Sequence, residues 1–211
     1  MWYISCVIHI NSRYCLISIN DTIRYITIVY SIFENKVASC LVNPRACHET
    51  ELKYLPTPIA RKIAVVGAGP AGLSYATVAA ERGHNVTLYE ANGEIGGQFN
   101  MAKRIPGKEE FYETIRYFKK QIELTGVNLM LNKRVTAAEL IAEKYDEVVL
   151  ATGVLPRVIN LEGENHEKAL TYIEVLSHQK EVGKRVAVIG AGGIGFDVAE
   201  YLTHEGTPSS Q

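Results

Sequence analysis

Glycine and alanine are missing from the start of this chain. No glycine occurs before Gly67 and no alanine before Ala38, although the 211 residues include 17 glycines. In residues 1–31, isoleucine and tyrosine dominate, and their spacing fits neither a helix nor strands joined by turns. We favour the hypothesis that this segment is non-native or disordered, such as an out-of-frame translation. The alternative is a pair of β-strands, which β-branched and aromatic residues favour, although no glycine or proline is present to turn them.

Cysteine is also scarce, and the four present are Cys6, Cys15, Cys40 and Cys47. Their spacings form no CxxC metal motif, and they are too few and too close to the N-terminus for a disulfide framework. The N-terminus lacks the basic region and clean apolar run of a secretory signal. We therefore expect a reducing, cytoplasmic setting.

The chain has no excess of charge of one sign. The formal net charge is −1 at pH 7, so we expect no nucleic-acid partner and no binding to an anionic membrane. A membrane-spanning helix needs about 20 predominantly apolar residues. The only apolar region long enough to consider is interrupted by Arg13, Asp21 and Arg24, which excludes a span there.

An apolar strand that runs into a glycine turn is the main feature present. Lys62–Val66 predicts a buried strand, and three glycines follow it with the GxGxxG spacing. In dinucleotide-binding folds the first glycine makes the turn, the second lets backbone approach a diphosphate, and the third lets helix and strand pack closely. The helix predicted from the turn to about Arg82 points free N–H groups at that diphosphate. The candidate binding residues are Gly67, Gly69, Pro70, Ala71 and Gly72.

An acidic residue, Glu90, closes the next predicted strand, Asn85–Glu90. A carboxylate about twenty residues after the turn can accept a hydrogen bond from a ribose 2′-hydroxyl, and it repels a 2′-phosphate. This position favours FAD or NAD over NADP in the first site. The alternative is that Glu90 is an ordinary surface acid.

Two further segments favour FAD over NAD. Glu94–Gln98 follows the acid and contains two adjacent glycines, which let backbone approach a cofactor. A later predicted strand ends in small residues, which would pass beside the dinucleotide. The candidate residues of these segments are Gly97, Gln98, Ala151, Thr152 and Gly153.

Predicted strands and helices alternate between these motifs. Apolar spacing predicts an amphipathic helix over Lys108–Leu124, and Gly83 and Gly126 are placed to end helices. Thr136 and Glu139 form a capping box that begins a short helix. Further strands are predicted at Val127–Leu131 and, buried, at Glu147–Leu150. The alternation predicts an α/β, Rossmann-like FAD/NAD(P)-binding fold with a parallel sheet.

The strand and glycine turn recur near the C-terminus. Lys184–Ile189 is predicted as a strand and Gly195–His204 as a helix. The second strand of this unit, whose end distinguishes NAD from NADP, would lie beyond Gln211, so we interpret the unit as truncated and predict that it docks weakly or samples several arrangements. Asp197 is interpreted as a helix-face acid rather than a catalytic one. The phosphate-binding glycines are Gly190, Gly192, Gly193 and Gly195.

Two longer stretches, Cys40–Glu49 and Glu94–Glu113, carry a resemblance to a known family. The second contains the runs EIGGQFN and IPGKEEFYE. The chain, from about residue 32 to about residue 206, resembles the bacterial NADPH-dependent 2,4-dienoyl-CoA reductases of the NADH:flavin oxidoreductase and trimethylamine dehydrogenase family. The resemblance implies an FMN barrel, a 4Fe-4S cluster, an FAD domain and an NADPH domain. It also implies reduction of 2,4-dienoyl-CoA in the β-oxidation of unsaturated fatty acids.

The same resemblance assigns the site residues. It places the first glycine turn, Glu90, Gly97 and Gln98 at FAD-binding positions, and Ala151–Gly153 on the strand that leads toward the NADPH domain. It places the second glycine turn at the NADPH site. No residue of this chain matches a catalytic residue of the family.

Two parts of the family pattern are missing. The barrel is absent, so we expect no FMN site and no acyl-CoA site in this chain. Cys40 matches the fourth cysteine of the cluster, whereas Asp21, Arg24 and Ile28 stand where the other three should fall. Iron–sulfur clusters need thiolate ligands, so Cys40 is interpreted as an orphan metal-ligand position without a cluster.

The sequence therefore predicts a flavin-dependent oxidoreductase module that passes a hydride from NADPH to FAD and does not turn over alone. The alternatives are a non-catalytic FAD- or ADP-binding module and an inactive gene fragment. The predicted segments are 1–31 (non-native or disordered), 32–61 (remnant of an iron–sulfur loop and linker), 62–157 (first part of the FAD domain) and 158–211 (truncated start of the NAD(P)H domain).

Overall fold

The residues that the computed structural model describes are 6–10, 13–17, 45–156 and 161–204. The chain divides into two compact units, Met1–Leu55 and Pro56–Gln211. In the first unit, strands β1 (Cys6–Ile10) and β2 (Arg13–Ile17) pair antiparallel, with the last residue of β1 opposite the first of β2. Over these two strands, the alternative prediction of a strand pair is confirmed.

The sequence argument against this hairpin was wrong for a physical reason. Two residues, Asn11 and Ser12, separate the strands. Glycine and proline are only the most frequent residue types in such connections, so their absence does not exclude a strand pair. The translational origin of residues 1–31 stays a hypothesis.

Among the described residues, four strands form the sheet of the second unit: β3 (Lys62–Val66), β4 (Asn85–Tyr89), β5 (Asn128–Met130) and β6 (Glu147–Leu150). They are parallel and lie in the order β5-β4-β3-β6. β3 pairs with β4 on one side and with β6 on the other. The predicted α/β fold with a parallel sheet is confirmed.

The helices of the second unit are α1 (Pro70–Glu81), α2 (Phe99–Ala102), α3 (Glu110–Thr125), α4 (Ala137–Ala142), α5 (Tyr172–Leu176) and α6 (Gly193–Thr203). Gly83 and Gly126 follow α1 and α3 with φ of 98° and 73°, which confirms their predicted role as helix ends. Glycine adopts this left-handed backbone without steric cost. No helix in the described part of the chain is long and apolar enough to cross a membrane.

Capping boxes begin two of the short helices. At α4, Glu139 N–H donates to Thr136 Oγ1, and Thr136 N–H donates to the Glu139 carboxylate at 2.7 Å, as predicted. Thr171 and Glu174 form a second box at α5, which the sequence analysis did not identify. A hydrogen bond from a nearby lysine side chain lowers the pKa of each of these carboxyls to about 2. Both caps are therefore ionised at neutral pH.

The main core lies between the sheet and helices α1 and α3. Its members are mainly valine, leucine and isoleucine, and fully burying one such side chain stabilises a fold by about 1.5–3 kcal/mol. The main core therefore accounts for much of the unit's stability. A smaller cluster packs α5 and α6 against the segment before α3, through Ile105, Leu176 and Val198. Buried members of the main core include Ile63, Val65, Leu73, Leu88, Ile115 and Ile122.

Two strand predictions need correction. β6 was predicted to be buried, but it is an edge strand and its Leu150 is 74% exposed. Lys184–Ile189 was predicted to be a strand, but it has no strand hydrogen bonding, and Ile189 is 69% exposed. A strand satisfies its backbone groups through a neighbouring strand. Within the described residues, the sheet provides no neighbour for this segment.

Candidate functional site

The first glycine turn joins β3 to α1 in a space too small for side chains. Gly67 has φ of 105°, and a Cβ there would lie 2.4 Å from the carbonyl oxygen of Ala151. A Cβ on Gly72 would lie 1.9 Å from the carbonyl oxygen of Gly67. Both distances are far below van der Waals contact. These two glycines are therefore required for the backbone packing, as the sequence pattern predicted.

Gly69 differs, because the space into which a side chain would project from it is open. It is the N-cap residue of α1 and has an ordinary extended backbone, with φ of −74° and ψ of 179°. Pro70 occupies the first helical position. A Cβ on Gly69 would meet no atom within 4 Å. No side chain caps this helix start. The N–H groups of the first turn, including that of Ala71, therefore face a region with room for a ligand.

The loop after Glu90 folds back onto this turn. Gly96 N–H donates to the carbonyl oxygen of Ala68 at 2.8 Å. A Cβ on Gly97 would lie 3.0 Å from the Cα of Gly69, so these two backbones meet without side chains between them. Gln98 follows as the N-cap of α2 and is exposed. The structure thus brings the predicted second loop to the helix N-terminus.

The segment after β6 passes along the other side of the turn. Ala151 N–H donates to the carbonyl oxygen of Val66 at 2.8 Å, which continues the ladder beyond β6. Thr152 and Gly153 follow and are exposed. Gly153 has φ of 74°, where a side chain would be strained. The three predicted residues therefore lie at the carboxyl end of the sheet, where parallel α/β folds bind ligands.

Glu90 lies within this assembly rather than on the surface. It is 7% exposed, so the alternative of an ordinary surface acid does not fit its burial. One carboxylate oxygen accepts from Ala68 N–H at 2.8 Å. The other accepts from the backbone and side-chain N–H groups of Asn92, at 2.9 and 2.8 Å. Because a carboxylate accepts about four hydrogen bonds, one position stays available, and the predicted contact with a ribose stays a prediction.

The second glycine turn has the same local shape in a different setting. Gly190 has φ of 122°, and a Cβ on Gly195 would lie 2.0 Å from the carbonyl oxygen of Gly190. Gly192 is the N-cap of α6, Gly193 is its first helical residue, and a Cβ on either would meet no atom within 4 Å. Gly190, Gly192 and Gly193 are exposed. The turn is formed, but no strand of the described sheet precedes it.

Asp197 lies on α6, as predicted for a helix-face acid. Its two carboxylate oxygens accept from Lys108 Nζ at 2.6 and 2.7 Å. The sequence analysis missed Lys108, Asn92 and the N–H of Ala68 as partners of acidic side chains. Their pairings are tertiary contacts or short loop contacts with no periodic signal. The sequence alone could not have identified them.

The predicted cluster positions cannot be located. Asp21, Arg24, Ile28 and Cys40 lie outside the described residues. Cys47, which is described, carries an exposed free thiol and a positive φ of 64°. Over residues 45–156 and 161–204 and the two N-terminal strands, no group of three His, Cys, Asp or Glu side chains could hold a metal ion. The interpretation of Cys40 stays a prediction.

The first turn fits the diphosphate of a dinucleotide. Three requirements are met by observed features: an uncapped helix N-terminus, open space where a Gly69 side chain would project, and glycine backbone of Gly97 packed beside Gly69. A positive helix end stabilises a diphosphate there. The wall formed by Gly97 approaches Gly69 closely because neither residue has a side chain. A side chain at Gly69 would fill this cradle.

Comparisons with known proteins agree with this geometry. Residues 61–207, more than half of the chain, match the pyridine nucleotide-disulphide oxidoreductase family. The chain is 34% identical over 180 residues to a metal reductase of Desulforamulus reducens, which covers 83% of this chain and 27% of that protein. It is 35% identical over 173 residues to a cinnamate reductase of Clostridium sporogenes, covering 80% of this chain and 25% of that protein.

A solved structure is similar as well. It is a 2-naphthoyl-CoA reductase in complex with 2-naphthoyl-CoA, with a TM-score of 0.76 and 36% sequence identity. The match covers 82% of this chain and 26% of that one. The chain therefore spans about a quarter of the length of these relatives.

Proposed function

Because the chain belongs to the pyridine nucleotide-disulphide oxidoreductase family, we propose that it is the dinucleotide-binding module of a flavin-dependent oxidoreductase. The meeting of three segments at the start of α1 supports this most strongly: the first glycine turn, Gly97 and Ala151–Gly153. In this proposal the diphosphate of FAD lies beside Gly69, against the N-terminus of α1. FAD, when bound, supplies the redox chemistry, and the protein holds and orients it.

Glu90 has two tasks in this proposal. Its carboxylate accepts from Ala68 N–H and so holds the turn in the shape that the diphosphate needs. Its remaining acceptor position takes a ribose hydroxyl of the adenosine half of FAD. A buried carboxylate with fixed partners disfavours a 2′-phosphate at the same place through charge repulsion.

We propose that the second glycine turn binds the phosphates of a nicotinamide nucleotide. Gly192 and the N-terminus of α6 repeat the open geometry of the first turn. The family resemblance favours NADPH over NADH. A nicotinamide nucleotide bound there would supply the hydride that reduces FAD, and the residues of this chain would hold the two cofactors for that transfer.

The resemblance also supports a class of final acceptor for the full-length protein. The relatives include a reductase named for cinnamate and one that binds 2-naphthoyl-CoA. We propose a conjugated acyl-CoA, 2,4-dienoyl-CoA, reduced in the cytoplasm during oxidation of unsaturated fatty acids. FMN, the 4Fe-4S cluster and the acyl-CoA site are proposed for the full-length relatives, not for the residues of this module.

A second candidate is a non-catalytic module that holds FAD or ADP. One observation favours it: the segment before the second turn forms no strand, and Ile189 is 69% exposed. A nucleotide site that lacks its strand binds more weakly, because no sheet fixes the turn on the strand side. The first site would then act alone.

A flavin titration of the full chain tests the two candidates. We expect FAD to bind and its absorbance band to bleach on anaerobic addition of NADPH. Gly69→Val should weaken FAD binding by about tenfold or more, because the side chain fills the diphosphate position. Gly183→Val is the matched control, since a Cβ there also meets no atom within 4 Å.

The outcomes separate the candidates. FAD binding without bleaching by NADPH or NADH supports the non-catalytic module. Failure to bind FAD, ADP or NAD at millimolar concentration contradicts both. Equal FAD affinity in the two valine variants would remove Gly69 from the site.

A further inference from the structure

An ion pair connects the second glycine turn to the loop of the first site. Lys108 Nζ donates to both carboxylate oxygens of Asp197, at 2.6 and 2.7 Å. The two side chains are only 37% and 29% exposed, so solvent screens them less than a surface pair. Lys108 lies just before α3, and Asp197 lies one turn inside α6. The pair therefore joins elements that are 89 positions apart in the chain.

An apolar cluster lies close to this ion pair along both segments. Ile105 is buried between Leu176 of α5 and Val198 of α6, and it stands three residues before Lys108. Val198 is the neighbour of Asp197. The charged contact and the apolar contact thus join the same two segments. An ion pair and an apolar contact thus both hold α6 against the segment before α3.

A third contact holds α5 to the same loop. The Arg104 guanidinium donates to the backbone carbonyl oxygens of Leu176 and Ser177. These carbonyls end α5, where hydrogen-bond donors are needed because the last helical carbonyls lack intrahelical partners. Residues 104–108 thus contact both helices that follow β6 in the chain.

The same loop begins at the first site. Gly96 N–H donates to Ala68 O in the first glycine turn, and α2 leads from there to Arg104. Residues 96–108 therefore contact the proposed FAD site at one end and α6 at the other. A shift of α6 against this loop would change the distance between the two glycine turns.

We propose that Lys108 and Asp197 are positioning residues that hold the second nucleotide turn at a fixed place relative to the flavin site. This inference rests on the proposed function and adds the element that aligns the two cofactors. The two side chains contact each other, and this role requires no contact with a reacting atom. Their effect comes through the orientation of α6, whose N-terminus forms the second turn.

Neutral variants of the full chain test this role. Lys108→Met and Asp197→Asn should each slow the limiting rate of FAD reduction by NADPH by about tenfold or more, because small misplacements of reacting groups cost large factors in rate. FAD affinity should change less than about twofold, since the first turn is not altered. The reversed pair Lys108→Asp with Asp197→Lys should recover part of the rate. Lys120→Met is the matched control, because Lys120 forms an ion pair with Glu123 that is exposed and within α3.

Hydrogen–deuterium exchange gives a second measurement that needs no cofactor. We expect faster exchange over α6 in Lys108→Met and Asp197→Asn, and unchanged exchange over α1. Unchanged exchange over α6 would overturn the proposal, whatever the rates do. Faster exchange with an unaltered reduction rate would show a structural contact only and would also overturn the positioning role.

The failure of the proposed function has a different signature. In that case the unaltered chain itself does not bind FAD or is not reduced by NADPH. Failure of the unaltered chain to bind FAD or to be reduced would contradict the positioning of cofactors directly. Hydrogen–deuterium exchange over α6 in the variants would still show whether the ion pair holds the helix.

Discussion

The two glycine turns have nearly the same backbone and very different surroundings. Gly67 and Gly190 have φ of 105° and 122°, and the third glycine of each turn packs against the first with equivalent closeness. Before the first turn, Val65 is 0% exposed, whereas before the second, Val188 is 42% exposed. The comparison separates what a short motif encodes from what a sheet provides.

The turn itself depends on local sterics. Glycine spacing determines which φ values are accessible and how closely the helix start can approach the turn. Both motifs contain that information within six residues. The strand before the turn depends on hydrogen bonds from neighbouring strands. β3 has β4 and β6 as neighbours, and residues 184–189 have no strand beside them in the described part of the chain.

The two turns are also held by different side chains. The first is held by the Glu90 carboxylate, which accepts from Ala68 N–H. The second is held from outside, by Lys108 on Asp197 and by the cluster around Ile105. The first turn is therefore contacted from within its own sheet, whereas only the helix after the second turn is contacted, by the loop that leads from the first site.

The largest expected effect comes from replacing the third glycine of each turn, Gly72 in the first and Gly195 in the second. Gly72→Ala places a Cβ 1.9 Å from the carbonyl oxygen of Gly67, in the buried packing between α1 and the first turn. We expect a loss of more than about 3 kcal/mol of unfolding free energy, since overpacking costs 1–3 kcal/mol even where side chains can move. Gly195→Ala creates the same clash at 2.0 Å but should cost much less, because the exposed turn can shift. Urea unfolding measures both, and equal losses would mean that the second turn is as constrained as the first.

The next largest effect comes from truncating the valine that stands two residues before each turn, Val65 or Val188. Val65→Ala removes methyl groups from a fully buried position and should cost about 1–3 kcal/mol. Val188→Ala, at a half-exposed position, should stay within about 0.5 kcal/mol. Thermal unfolding by circular dichroism measures both. A comparable loss in Val188→Ala would mean that residues 184–189 pack as a strand in solution.

The third effect tests how Glu90 holds the first turn. Glu90→Gln removes the charge and turns an acceptor into a donor facing backbone N–H groups. We expect a loss of about 1–3 kcal/mol, the range for leaving a buried polar partner unpaired. Glu123→Gln serves as the control because its ion pair with Lys120 is exposed, and such pairs contribute about 0–1 kcal/mol. If Glu90→Gln matched this control in denaturant midpoint, the carboxylate would not hold the turn.

The smallest effect is the pH dependence of the two helix caps. The pKa of Glu139 and that of Glu174 are lowered from the ordinary 4.5 to about 2. Because the folded-state pKa is lowered, each cap stabilises the fold fully above pH 4.5 and loses this contribution as the pH falls toward 2. In a series of unfolding curves at decreasing pH, Glu139→Gln should show a shallower loss of stability than the unaltered chain. Parallel curves would contradict the role of this carboxylate.

Much of the first site could be predicted because its residues lie in order along the chain. The β3 strand, the turn, α1 and Gly97 each carry a local signal, either in apolar spacing or in glycine spacing. The inward direction of Glu90 and its contacts with Asn92 carry no such signal. The same holds for Lys108 and Asp197, which meet because the segment before α3 packs with α5 and α6 in one cluster. The missed hairpin of β1 and β2 shows the opposite error, in which a local rule about glycine was applied too strictly.

By itself, the sequence determined the α/β alternation, the helix ends at Gly83 and Gly126, and the shape of both glycine turns. These depend on steric limits within a few residues. Only the tertiary structure decided that β6 lies at an edge, that residues 184–189 form no strand, and that Glu90 faces the turn. Strand pairing, burial and ion pairs depend on groups brought together from distant parts of the chain, and no local pattern encodes them.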